Sequence, residues 1–381
     1  MLRNRHQKIF VAMSGGVDSS VTAALLKEQG YEVVGVHMLC ADFAKGARVC
    51  RQAQEDRLDA MRVAAALDTP LLVWDFRKEY KEAVFDYMVR EYRTGRTPNP
   101  DVMCNRHIKF GVFLKRARKA GADFIATGHY VCLQRKFPIS NFQFPKNKSL
   151  NTENLLKIEN YKLKIARDLN KDQSYFLWTL TQEQLKYCLF PIGDYLKSEV
   201  RDLARKFNLP TSDKKDSQGL CFVGNIDFGE FLRQALPVTI GEVQTIEGRA
   251  IGAHDGAYFY TVGQRYGLNI GGQKQPLYVA EKNIQTNTLV VARGADDPIL
   301  YRRELAVLDI NWIGGVPPAF PLKCFARIRY RQPLQKCSVF EGGNVVFDNP
   351  QRAIAPGQSI VWYTAGGIML GGGIINPVIR E

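Results

Sequence analysis

Hydrophobic positions fall into two textures along the chain. Through residue 130, short apolar runs alternate with longer segments of helical period. Segments 8–13, 31–38, 70–76 and 123–127 read as buried strands. Segments 19–29, 53–67, 78–93 and 106–120 read as helices, the first stopped by Gly30. Strand–helix alternation predicts a parallel sheet wrapped by helices, an α/β fold. Helical period resumes at Gln182 and over 197–207, with Pro210 as the stop. Beyond residue 237, short β runs alternate with Gly and Asn turns at 257–262, 277–281, 288–293, 324–330, 338–340, 344–347 and 359–363. That spacing predicts two small, mainly β, barrel-like modules that divide near 299–303.

Between these textures, residues 134–172 show no sustained period. They hold nine Lys or Arg against four Asp or Glu and are rich in Asn. They read as an exposed basic loop, with an insertion near 134–165. A chain of 381 residues is long for one core. The expected division is a catalytic domain over 1–224, a central β domain over 225–302 and a C-terminal β-barrel-like domain over 303–381.

Charge adds a partner class. The formal net charge of +14 points to a polyanion, with nucleic acid first. No apolar run reaches the length of a membrane span, and the basic start at 1–7 leads straight into a glycine loop. A cytoplasmic protein without a membrane partner is expected. Eight cysteines in a chain this long make no disulfide framework, and no C-x-x-C pair occurs. The five histidines show no metal-ligand spacing, so no resident metal centre is expected.

Chemistry enters at Met13-Ser14-Gly15-Gly16-Val17-Asp18-Ser19-Ser20, between the first strand and the first helix. Two glycines let backbone approach a phosphate, and free N–H groups at the helix start face an anion. Ser14, Ser19 and Ser20 offer hydroxyls. Asp18 repels phosphate directly, so its expected task is to hold Mg2+ bridging the phosphates. No G-K-[ST] follows, so γ-phosphate transfer is not expected. A lone Gly-Gly would read as a tight turn; the whole string goes further. It resembles the ATP-pyrophosphatase loop, which implies ATP cleavage between the α and β phosphates.

Two further motifs carry cysteines. In Thr97-Pro98-Asn99-Pro100-Asp101-Val102-Met103-Cys104-Asn105-Arg106-His107, Asn105 is a candidate cap for the following helix. Cys104 then lies near a helix N-terminus amid positive charge, which favours a thiolate. Asp101 is a candidate acid or base. In Asp216-Ser217-Gln218-Gly219-Leu220-Cys221-Phe222, the glycine gives an accessible turn; alone, Cys221 reads as a buried structural thiol.

Together, the phosphate loop, P-N-P-D-x-x-C-N and G-x-C-F resemble the tRNA-specific 2-thiouridylase family over nearly the whole chain. Ala126-Thr127-Gly128-His129-Tyr130, Lys171-Asp172-Gln173 and Arg327-Ile328-Arg329-Tyr330 fit the same resemblance. It implies an N-terminal domain like the adenine nucleotide alpha hydrolases. It implies that Ala12, Met13, Ser14, Gly15, Gly16, Val17, Asp18, Ser19, Met38 and Gly128 bind ATP. Asn99, Pro100 and Asp101 meet the target base, with Asp101 as the acid or base. Cys221 carries sulfur as a persulfide, and Cys104 is its partner nucleophile; a disulfide between the two is implied. His129, Lys171, Asp172, Gln173, Arg329, Tyr330 and Gln358 contact tRNA. The implied reaction adenylates the C2 oxygen of the wobble uridine and replaces it with sulfur, releasing AMP and pyrophosphate. The implied partners are tRNA and a persulfide donor, either a cysteine desulfurase or a sulfur relay carrier.

From residues alone, Lys171–Gln173 also read as a solvated turn. Arg327, Arg329 and Arg331 alternate, as on one face of a strand. Two other classes compete. An amidating or ligating enzyme with the same loop needs no essential cysteine. A non-catalytic RNA-binding or sulfur-carrier protein shows no ATP turnover.

Overall fold

The computed structural model describes residues 7–40, 47–135, 161–215 and 228–376. Cys221 and the centre of the basic insertion lie outside them.

The N-terminal region is a five-stranded sheet. Its strands are β1 (Lys8–Ala12), β2 (Glu32–Leu39), β3 (Leu71–Asp75), β4 (Phe124–Ala126) and, later, β7 (Cys188–Leu189); β1 and β2 are largely buried, whereas edge strand β3 buries Trp74 and leaves Leu72 and Val73 exposed. All neighbours pair parallel in the order β3-β2-β1-β4-β7. Helix α1 (Val17–Glu28) follows β1, and α2 (Ala47–Ala66) follows β2. Beyond β3 come α3 (Arg77–Tyr80), a π-helical turn over Lys81–Phe85, and α4 (Asp86–Arg93). Next come α5 (Pro100–Met103), a π-helical stretch over Cys104–Val112, and α6 (Phe113–Lys119). The expected helices over 78–93 and 106–120 thus each contain or adjoin wider turns, a feature often found near functional sites.

Aligned parallel strands end together, so the β1–α1 loop, the end of β2 and the turn after β4 gather at one sheet edge. Two apolar layers cover the sheet. One holds Phe10, Trp74, Phe113 and Cys104; the other holds Val11, Val21, Leu25 and Ala60.

The basic segment is not wholly a loop. Its ends pair antiparallel as β5 (Cys132–Arg135) and β6 (Tyr161–Lys164), with Arg135 opposite Tyr161. After them come α7 (Gln182–Leu185) and α8 (Lys197–Lys206).

Helix α9 (Phe228–Ala235) leads to a four-stranded sheet. Its members are β8 (Gly241–Thr245), β9 (Ala250–His254), β10 (Leu277–Asn283) and β11 (Thr288–Arg293), in the order β10-β11-β8-β9. The strand expected over 257–262 is absent. Ala257–Phe259 forms a 3-10 turn after Gly256, whose φ of 143° suits glycine alone.

The last region is a closed barrel. Strands β12 (Tyr301–Trp312), β13 (Leu322–Arg327), β14 (Gln335–Val339), β15 (Asn344–Arg352), β16 (Ser359–Tyr363) and β17 (Met369–Asn376) close in the order β12-β15-β14-β13-β16-β17. Cys324 and Cys337 face each other across β13 and β14, with Sγ atoms 3.7 Å apart. Strand β13 ends at Arg327, so the expected arginine stripe does not form: Arg329 lies beyond the strand and Arg331 takes a left-handed φ of 63°. Among the described residues, no helix is long and apolar enough to cross a membrane.

Candidate active site

The phosphate loop is shaped from both sides. Gly15 has φ 78°, and a Cβ built there would lie 2.1 Å from the Asp56 carbonyl of α2. Glycine is required because α2 backbone fills that space. The Ser19 hydroxyl donates to the Gly16 carbonyl at 3.1 Å and lies 3.2 Å from Ser14 Oγ. Ser20 donates to the same carbonyl at 2.8 Å. Opposite, a Cβ on Gly128 would meet the Ser19 amide nitrogen at 2.7 Å. The turn after β4 therefore touches the first turn of α1 through bare backbone.

Beneath the loop, Ala12, Met13 and Met38 are buried. Met13 donates its N–H to the Val36 carbonyl, and its own carbonyl lies 3.0 Å from His37 Nδ1. Burial lowers the His37 pKa despite that bond.

Asp18 is not bare. Its Oδ1 accepts from Lys197 Nζ at 2.7 Å and from the Tyr130 hydroxyl at 2.8 Å. Lys214 Nζ donates to the Gly15 carbonyl at 3.0 Å, to Asp56 at 2.7 Å and to Asp59 at 2.6 Å. Burial alone would lower the Lys214 pKa, but the two carboxylates outweigh it and the pKa rises. Neither lysine stands in the loop motif. Their sequence positions gave no spacing signal, because tertiary packing of α8 and of the chain after it brings them here.

The cysteine helix begins at Asn99, not Asn105. Asn99 Oδ1 caps the helix by accepting from Val102 N at 3.3 Å, with Pro100 in the first turn. Asn105 is instead buried; its Nδ2 donates to the Phe176 carbonyl at 3.1 Å and its Oδ1 has no partner among the described residues. Asp101 is partly exposed in the first turn, and Cys104 has no exposed surface.

The residues expected at tRNA lie mostly on seams between regions. Gln358 donates from Nε2 to the Thr97 and Pro98 carbonyls at 2.9 and 3.1 Å, pinning the approach to Asn99 against the barrel. Arg329 donates to the Ala353 carbonyl at 2.5 Å, and burial lowers its pKa. The Tyr330 ring packs on Phe176 with centroids 4.7 Å apart. Asp172 is 1% exposed; it holds Arg327 at 2.6 Å and accepts from the Ala166 and Ser174 amides. Gln173 Oε1 accepts from Tyr130 N, which ties this turn to the residue holding Asp18. Lys171 is partly exposed. His129 is buried against Thr127 and Lys109.

Known proteins similar to this chain match it end to end. A protein from Geobacillus kaustophilus called tRNA-specific 2-thiouridylase MnmA 2 is 44% identical, over 98% of this chain and 96% of its own. The chain belongs to the tRNA-specific 2-thiouridylase family. A Shouchella clausii member is 45% identical over the whole of both chains. One from Francisella philomiragia is 44% identical over 97% of this chain and 99% of its own. Three family descriptions cover the regions in turn: a tRNA methyl transferase HUP domain over 7–225, a tRNA methyl transferase PRC-barrel domain over 229–293, and an aminomethyltransferase beta-barrel domain over 302–375. The first two descriptions speak of methyl transfer, whereas the full-length relatives named here are thiouridylases.

Proposed function

We propose that this chain is an ATP-dependent tRNA-uridine 2-sulfurtransferase of the cytoplasm, acting on the wobble uridine. One observation carries the reading: the end-to-end identity to 2-thiouridylases, in a chain whose lysine-free phosphate loop and Cys104 helix lie in one α/β domain. The three regions are read as separate domains near the family boundaries.

The loop fits a nucleotide. Its glycines keep side chains out of the cradle, and Gly128 brings backbone against the start of α1. Magnesium fits the donor set in a limited way. Among the described residues no group of three or more His, Cys, Asp or Glu could hold an ion, so Asp18 of the loop would supply one carboxylate and the nucleotide's phosphates would have to supply further oxygens. Bound there, the ion would offset phosphate charge as pyrophosphate leaves.

In this reading, the uridine O2 lone pair attacks the α-phosphorus of ATP and pyrophosphate departs. The terminal sulfur of a persulfide on Cys221, loaded by a donor protein, attacks C2, and AMP leaves with the oxygen. Cys104 attacks Cys221 Sγ, releasing sulfur on the base and forming a Cys104–Cys221 disulfide that an external dithiol reduces. Asp101 handles the proton on the base. Cys104 is shut in without tRNA, so this reading requires the capped helix or its cover to move when tRNA binds. The target base must also leave its stack, which is easy in an anticodon loop.

The test is to incubate the chain with ATP, tRNA and a persulfide donor. AMP, pyrophosphate and 2-thiouridine should appear together, the last by mass spectrometry of nucleosides. Cys104→Ser and Cys221→Ser should each abolish 2-thiouridine. AMP without thiolation, or normal thiolation by either variant, would overturn the reading.

A further inference from the structure

A carboxylate stands where this loop must meet phosphate. Asp18 occupies the first turn of α1, among the amides and hydroxyls that suit an anion. Left bare, it repels a triphosphate, and the loop holds no lysine of its own.

Lys197 meets that need from 179 positions away in sequence. Its ammonium lies 2.7 Å from Asp18 Oδ1, with the two side chains 13% and 33% exposed. It sits 5.9 Å from the Tyr130 ring centroid, and the Tyr130 hydroxyl donates to the same carboxylate oxygen. Lys197 opens α8, and its backbone N–H donates to Asp168 Oδ2 at 2.9 Å, which fixes where the side chain begins. One turn on, Arg201 holds the Ser212 and Lys214 carbonyls at 3.1 Å each, and Lys214 in turn holds Gly15. Helix α8 is therefore tied to both the glycine end and the aspartate end of the loop.

We propose that Lys197 is the phosphate-binding cation of this loop. It neutralises Asp18 before nucleotide arrives. When the nucleotide's magnesium takes the carboxylate, the ammonium passes to a phosphate oxygen. A lysine suits this exchange because its charge is compact and its stem flexible, whereas an arginine fork would bind the carboxylate at two points. The inference deepens the nucleotide reading above and rests on it.

The test is calorimetric titration of the full chain with Mg-ATP and, separately, with AMP. Lys197→Met should weaken Mg-ATP binding by about 10- to 100-fold, the scale of one hydrogen bond to a charged group. AMP binding should stay within about twofold of the unaltered chain, because AMP does not carry the β and γ phosphates. Lys197→Arg should recover only part of the loss, because its fork holds the Asp18 carboxylate at two points, and thermal melting should show that both variants fold. A variant that loses ATP and AMP alike, or neither, overturns the proposal. An unaltered chain that binds no ATP overturns the nucleotide reading itself, and this proposal with it.

Discussion

His129 shows how one buried side chain reports on its surroundings. Lys109 Nζ, which can only donate, lies 3.4 Å from Nε2, so Nε2 is the acceptor and Nδ1 carries the proton toward Thr127 Oγ1 at 2.8 Å. Burial, and then the Lys109 charge, hold its pKa well below 6.5. The unfolded chain takes up a proton near pH 6.5 that the folded chain refuses. Stability from this group is therefore complete above that pH and falls as pH drops below it, by at most about 1.4 kcal/mol per unit. Unfolding stability measured from pH 8 to pH 5 should fall less steeply in His129→Gln, by about 2 kcal/mol over the range. Parallel curves would show that His129 protonates in the folded state. At this scale the sequence was informative about motifs and silent about partners. The S-G-G-V-D-S string pointed to a phosphate loop, but nothing local linked Asp18 to Lys197 or Gly15 to Lys214. Asn105 looks like a helix cap because it directly precedes the expected helix over 106–120; Asn99 holds that role because the helix already starts at Pro100.

Elements with strong β composition and a clear period were legible. Thr288–Arg293 and Ser359–Tyr363 are strands over the expected residues. Met369–Asn376 was missed because Gly371, Gly372 and Gly373 look like a turn. In the barrel they are a strand interior, and a Cβ on Gly371 would strike the Asn311 carbonyl at 2.2 Å. Strand Tyr301–Trp312 is not legible and its start falls in the expected break near 299–303, because charged residues interrupt its alternation; in the barrel its pairing shifts register twice. The basic insertion lacked a period because its strands are short and its middle is polar. The β5–β6 pairing suggests a clean deletion: Asn-Gly in place of residues 136–160 joins Arg135 to its partner Tyr161 through a two-residue hairpin turn. This removes four lysines and two glutamates. If those lysines neutralise tRNA phosphates, affinity should fall and the log–log salt slope should flatten by about one or two. A slope equal to that of the full chain would make the insertion a passive surface segment.

At the scale of the whole molecule, the regions are joined by buried polar contacts as well as by apolar packing. The Tyr175 hydroxyl donates to the Ser359 carbonyl at 2.7 Å, Trp178 Nε1 donates to Ser359 Oγ at 3.0 Å, and Ser174 Oγ lies 3.0 Å from the Tyr363 hydroxyl. At the centre, Arg327 of the barrel meets Asp172 of the α/β region, 8% and 1% exposed at their side chains. The same turn binds Tyr130 through Gln173, and Tyr130 binds Asp18. The barrel is thus connected by successive hydrogen bonds to the phosphate loop. Arg327→Met strands the Asp172 carboxylate with only amide and hydroxyl donors, a loss on the order of 3–5 kcal/mol for a broken buried pair. Asp172→Asn with Arg327→Met removes both charges, and so should recover much of that loss. Thermal and urea unfolding of the two variants against the unaltered chain measures the difference. A single variant as stable as the unaltered chain would show that the pair does not fasten the barrel. A double variant no better than the single would place the loss in packing of the Arg327 stem over the Tyr363 ring, 5.3 Å from its guanidinium, and not in the stranded charge.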